Sequence, residues 1–174
     1  MTEWINILEI TGQIIVVPPF YENFGKRLIK SPKVYITDSG LACYLLGIET
    51  ETVLRKSPFF GQIFEGFVAS EIAKRQINCG KRREIYYFRD QQGLEVDFII
   101  PTGNAKLLAL EAKATRSVKP EMGKPLVKLT RAISKYKVDK YVVHLNPPKG
   151  IGKGFHSLSP GVKAIPVSDI GLLY

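Results

Sequence analysis

Charged residues recur at a two-residue period in two largely apolar segments in the middle of this 174-residue chain. Residues 94–100, Leu-Glu-Val-Asp-Phe-Ile-Ile, have the two-residue period of a strand. Glu95 and Asp97 then share one face, and Val96, Phe98 and Ile100 the other. Residues 107–113 repeat the pattern, with Glu111 and Lys113 on one face and Leu108, Leu110 and Ala112 on the opposite one. Pro101-Thr-Gly-Asn104 between them is turn chemistry, which predicts a hairpin turning near Gly103 and Asn104. That pairing sets Asp97 roughly opposite Glu111. One face of the hairpin is apolar and buries on a core. The other carries acids and a lysine among Ile99, Leu107 and Ala109.

A helical period covers residues 60–76, with Phe60, Phe64, Phe67 and Ile72 as its apolar members. The ridge neighbours of Glu65 are Val68, Ala69 and Ile72, so this glutamate points toward the body of the domain or stands at the edge of the apolar stripe. Elsewhere the signals are local. Thr2 caps a helix through Ile10 that Gly12 ends, and residues 13–17 form a strand stopped by Pro18-Pro19. Lys33–Ile36 is a second short strand, and Asp38 caps a helix through Leu46 that Gly47 ends. Further strands are predicted at 85–89 and 140–145, with a helix over 124–136 before the last. Helix, strand, turn-rich loop and strand over residues 1–39 fit the last helix and wing of a partial winged-helix segment. Residues 40–174 form the larger unit, an α/β mixed sheet flanked by helices, whose final strand–helix–strand step is a parallel crossover.

The charges change this picture in one respect. Charges in an apolar strand are costly unless paired or bound to a metal. Two carboxylates can hold a hard cation through oxygen while phosphate completes its shell. Such an ion neutralises developing charge and lowers the pKa of a bound water, and a lysine adds a point charge for hydroxide or phosphate. Asp97, Glu111 and Lys113, with Glu65 nearby, are therefore the candidate centre of magnesium- or manganese-dependent phosphodiester chemistry. Asp97, Glu111 and the Ala112 carbonyl are the candidate ligands, and Glu65 acts through a second ion or a water. The alternative is a solvated sheet face with a Glu–Lys pair.

Net charge is +9 and unevenly spread. Residues 1–56 carry six basic and six acidic groups, residues 57–118 nine and seven, and residues 119–174 ten and three. In that last third Lys124, Lys128, Arg131 and Lys135 form one helical stripe, and Leu126, Leu129, Ile133 and Tyr136 a different one. The basic stripe reads as a track for a DNA backbone, or else as a solubilising face. No Gly-x-x-x-x-Gly-Lys-Ser/Thr occurs, so no P-loop ATPase activity is expected. Gly150-Ile-Gly-Lys-Gly154 has the wrong spacing and reads as a loop. Cys43, Cys79, His144 and His156 lack ligand spacing. No run reaches membrane-spanning length, which makes a cytoplasmic protein the default.

A helix glutamate, a strand aspartate and Glu-x-Lys on the next strand resemble the metal site of the PD-(D/E)XK nuclease superfamily. The resemblance maps onto Glu65, Asp97, Glu111 and Lys113, with Val96 where a proline often precedes the aspartate. It implies a restriction endonuclease-like fold. A longer ordered series resembles the C-terminal domain of unknown function of prokaryotic AAA-type ATPases. It comprises Trp4-Ile-Asn-Ile-Leu-Glu-Ile-Thr-Gly12, Pro18-Pro-Phe-Tyr21, Lys26-Arg-Leu-Ile-Lys-Ser-Pro-Lys33, Thr37-Asp-Ser-Gly-Leu-Ala42, Phe64-Glu65, Tyr87-Phe-Arg-Asp90 and Gly93-Leu-Glu-Val-Asp97. That likeness implies an ATPase domain as partner, in the same chain or another. The domain then serves as a DNA nuclease, or as a catalytically silent module for docking DNA or protein.

Overall fold

The computed structural model describes residues 2–20, 31–147 and 154–173. The glycine run up to position 153, most of the 26–33 stretch and the capping role given to the Thr2 side chain lie outside the described features.

The chain opens with α1 (Thr2–Ile10), followed by β1 (Ile14–Val17) and β2 (Lys33–Ile36), which pair antiparallel from Ile14↔Ile36 to Val17↔Lys33. Asp38 caps α2 (Ser39–Leu45) by accepting from the Leu41 amide at 2.9 Å. The turn after α2 needs the left-handed backbone that Gly47 supplies at φ 67°. A helix absent from the sequence reading, α3 (Glu51–Lys56), is capped by Thr50. It is six residues long, too short to show a period. The long helix α4 (Phe60–Asn78) carries Glu65.

The main sheet has six strands in the order β3-β4-β5-β6-β8-β7. They are β3 (Tyr86–Arg89), β4 (Glu95–Gly103), β5 (Lys106–Lys113), β6 (Lys137–His144), β7 (His156–Ser159) and β8 (Val162–Pro166). The central pairs β5–β6 and β6–β8 are parallel and the others antiparallel, so the sheet is mixed as expected. The crossover from β5 to β6 runs through a 3-10 turn, Pro120–Gly123, and α5 (Lys124–Ala132). The sequence reading carried α5 to residue 136. Ile133 leaves helical geometry at ψ 54° while staying fully buried, so Lys135 follows the helix rather than riding on it. The β7–β8 hairpin was also not anticipated.

The β4–β5 hairpin turns at Asn104 and Ala105, both at positive φ (51° and 55°), one residue later than expected. Two left-handed central residues match the twist of the flanking strands. The face expected to bury on a core does so, and the face that carries the charges is buried as well. Phe98, Ile100, Leu108 and Leu110 pack with Phe64, Val68 and Ile72 of α4. Val96, Ile99, Leu107 and Ala109 pack with Leu126 and Leu129 of α5. Val96 thus lies apart from Phe98 and Ile100. The cause is a register shift between Phe88↔Val96 and Tyr86↔Ile99, which inserts one extra β4 residue and turns the strand at Asp97.

The N-terminal segment is joined to this body by hydrogen bonds. After β1, Tyr87 donates its amide to the Pro18 carbonyl at 3.1 Å, and Phe20 donates to the Tyr87 carbonyl at 2.7 Å. The Tyr87 hydroxyl donates to the Ser31 carbonyl, and Arg83 pairs with Glu9 of α1. Among the described residues no helix is long and apolar enough to cross a membrane.

Candidate functional site

The turn from β3 to β4 is tied by the buried Asp90, whose carboxylate accepts from the Gln92 and Leu94 amides, each at 2.9 Å. That fixes where β4 begins and delivers Glu95 and Asp97 to the end of the sheet. The β4–β5 ladder runs to Phe98↔Leu110, so one step further Asp97 faces Glu111. There the Asp97 side chain replaces the ladder, with Oδ2 accepting the Ala112 amide at 3.0 Å. Asp97 and Glu111 are 6% and 3% exposed.

These residues open on a cleft of about 790 Å³. Glu65, Glu95, Asp97, Glu111 and Lys113 line it. The β3–β4 turn contributes Asp90, Gln92, Gly93 and Leu94, and α5 contributes Lys124, Pro125, Lys128, Arg131 and Ala132. All four quartet residues inferred from the sequence therefore border one space, together with three of the four basic-stripe residues. Lys135 is exposed but is not part of the lining. His144 and His156, with ring centroids 5.6 Å apart, are also not among the lining residues.

Each carboxylate is already engaged. Glu111 Oε2 accepts from Lys113 Nζ at 2.8 Å. Glu65 Oε2 accepts from the Tyr35 hydroxyl at 3.1 Å, and Glu95 Oε2 accepts from Arg89 Nε at 2.8 Å. Lys33, at the start of β2, reaches three acids at once. Its Nζ lies 2.6 Å from Glu95 Oε1, 3.2 Å from Asp97 Oδ1 and 3.7 Å from Glu65 Oε2. It also stands 5.6 Å from the centre of the Tyr87 ring.

The electrostatics show crowded negative charge. Burial, reinforced by the charge of Asp97 and opposed by Lys113, pushes the Glu111 carboxyl up to about 8. Burial and then the Asp97 charge raise Glu65 as well. Burial also works against ionised Glu95, but hydrogen bonds and charge from Lys33 and Arg89 hold it below the usual carboxylate range. Burial alone would lower Lys33, yet Asp97, Tyr35, Glu95 and Glu65 together raise it, so it stays an ammonium.

Asp97 and Glu111 are two carboxylates of the kind that could hold a hard cation together with substrate phosphate. They do not make an all-protein cage. Among the described residues no three His, Cys, Asp or Glu side chains are grouped to hold a metal ion.

Sequence reasoning did not single out Lys33, Glu95 or Arg89. Glu95 carried a usable signal, since it shares the face of Asp97. Lys33 lies 64 positions from Asp97, on a four-residue strand without a period that could reveal the contact.

Residues 1–52 match a family described as Domain of unknown function (DUF8612), and residues 60–155 one described as Domain of unknown function (DUF4143). Uncharacterized protein Rv2008c of Mycobacterium tuberculosis and Uncharacterized protein Mb2031c of Mycobacterium bovis are each 33% identical to this chain over 126 residues. The aligned stretch is 71% of this chain but 28% of either relative, so the chain spans under a third of their length. Among solved structures, one is described as a refined half-complex from a tetradecameric assembly of Thermococcus gammatolerans McrB AAA+ hexamers with bound McrC. A chain in it is 12% identical, covers 61% of this chain and 27% of its own length, and has a TM-score of 0.40, too weak a likeness to assign a shared fold. The stretch 60–155 is more than half of the 174 residues and includes Glu65, Asp97, Glu111 and Lys113, and the chain belongs to the DUF4143 family.

Proposed function

We propose that this domain acts on the phosphodiester backbone of DNA, as a nuclease-like module centred on Glu65, Asp97, Glu111 and Lys113. The observation that carries the proposal is the composition of the cleft, in which a buried acid pair and an adjacent lysine meet a basic wall from α5. Lys124, Lys128 and Arg131 attract phosphate through charge alone, without reading bases. The acids repel phosphate unless a cation lies between them. Asp97 and Glu111 would hold magnesium or manganese, with the Ala112 carbonyl beside them and Glu65 acting through a water or a second ion. When bound, such an ion supplies charge neutralisation and a more acidic water. Lys113 keeps a positive charge in the cleft, since burial works against it but the charge and hydrogen bond of Glu111, with the charges of Asp97 and Glu65, together raise it. That charge is placed to stabilise the negative charge that develops on a phosphate under attack.

In the same proposal, residues 1–39 are the partial winged-helix segment and 40–174 the restriction endonuclease-like domain. An AAA-type ATPase domain is the partner, within a longer protein or in another chain. The short share of the curated relatives that this chain spans supports the former.

A second reading is a catalytically silent nuclease-fold module that docks DNA or protein for the ATPase. One observation favours it, namely that all five carboxylates of the cleft are already paired with protein donors. Cleavage assays separate the two. Linear, circular and branched DNA are incubated with the chain, with and without magnesium or manganese, beside Asp97→Asn. Metal-dependent cleavage lost in the variant supports the first reading. DNA binding without cleavage under every metal condition selects the second.

A further inference from the structure

Lys33 is not part of the quartet, yet no other side chain reaches as many of the cleft's acids among the described residues. Its ammonium contacts Glu95, Asp97 and Glu65 and is largely withdrawn from solvent, with a side chain 15% exposed. Three carboxylates converging on one buried cation differ from an exposed ion pair, which contributes little. Without Lys33, Asp97 would keep the Ala112 amide, Glu95 would keep Arg89 and Glu65 would keep the Tyr35 hydroxyl. The cluster would then lack a cation at its middle. Lys33 also belongs to the 1–52 family match, whereas the three acids belong to the 60–155 match. The two matched segments meet at this contact.

We propose that Lys33 is the resident cation of the acid cluster, a positioning residue that gathers Glu65, Glu95 and Asp97 in the metal-free chain and is displaced when a divalent ion binds. The ion's affinity is then set by competition with an internal ammonium, and any shift of the β1–β2 hairpin changes that competition. The exchange breaks no covalent bond and moves no proton. A dication enters, and the lysine leaves as an ammonium to solvent. This inference rests on the metal-binding reading above.

Two measurements test it on the intact chain. Manganese and magnesium chloride are titrated calorimetrically into wild type, Lys33→Met and Lys33→Gln, with folding checked by circular dichroism. In parallel, wild type is labelled with an amine-acylating reagent in chelator and in manganese, and modification of Lys33 is read by mass spectrometry. Removing the ammonium that the ion must displace should tighten binding by about tenfold or more in both variants. In chelator the variants should melt earlier than wild type, and manganese should restore them. Lys33 should be slow to label in chelator and faster with manganese, while distant lysines stay unchanged. Wild-type binding that the variants match or weaken overturns the displacement and leaves the metal reading standing. Folded wild type and variants that all fail to bind either ion overturn both. If neither variant folds, the labelling decides, and equal Lys33 modification in the two conditions sinks the proposal.

Discussion

Glu111 is the residue at which burial and charge meet most sharply. Two residues apart on one strand face, it and Lys113 form a pair that the alternation of β5 displays openly. The opposition of Asp97 to Glu111 follows from the same alternation once the hairpin is recognised. What the alternation does not carry is the hydrogen bond from the Ala112 amide to Asp97, because it depends on a shift in β4 pairing set by its partner β3. Lys33 was illegible for the same reason, being brought to the acids by pairing far along the chain. The raised Glu111 carboxyl has a signed consequence. Its folded value of about 8 lies above its ordinary 4.5. The stability it contributes is fully present below about 4.5 and is lost as pH rises through about 8, because the folded state must then ionise a buried group beside Asp97. Urea midpoints of the metal-free chain should fall between pH 5 and pH 9, and Glu111→Gln should flatten that fall. Equal slopes in the two proteins would show that Glu111 ionises without penalty.

Among the elements, α5 tests whether a stripe read from spacing has the role assigned to it. Within the helix its two stripes are as the spacing predicts, with Leu126 and Leu129 buried and Lys124, Lys128 and Arg131 exposed, while beyond its end Ile133 is buried, Tyr136 half-buried and Lys135 exposed. The helix end was misplaced because Ile133 satisfies the apolar period equally well from a non-helical backbone. Leu129→Ala should cost about 2–5 kcal/mol, the usual range for emptying a buried leucine site. Lys128→Gln should change stability by less than about 0.5 kcal/mol, as exposed substitutions do. Chemical denaturation of both variants checks the contrast, and comparable losses would refute the assignment of faces. The short helix α3 and the β7–β8 hairpin were missed. The Pro160-Gly161 turn between β7 and β8 was the available clue, and the Gly161 backbone does adopt φ 72°.

Across the whole molecule, the sheet buries both faces, and the acids of β4 and β5 with Lys113 lie at one end of that hairpin, where the cleft opens. The excess of basic residues over 119–174 places part of its positive charge on that rim. If the rim tracks a DNA backbone, replacing Lys124, Lys128 and Arg131 by glutamine should flatten the log–log salt dependence of binding by about three units, for all sequences alike. Lys135→Gln, off the helix and away from the lining, should change it less. An unchanged slope in the triple variant would move the DNA path elsewhere. In the proposed function, the acids and lysine at this end form a working phosphodiester centre. Its most direct test is the single-turnover cleavage rate of Lys113→Ala beside wild type in magnesium or manganese, with DNA affinity measured in the same buffer. A charge contact made in the transition state predicts a rate lower by about 100-fold or more, with affinity changed by less than about twofold. A Lys113→Ala protein that cleaves as fast as wild type would contradict the account and place the activity at another site.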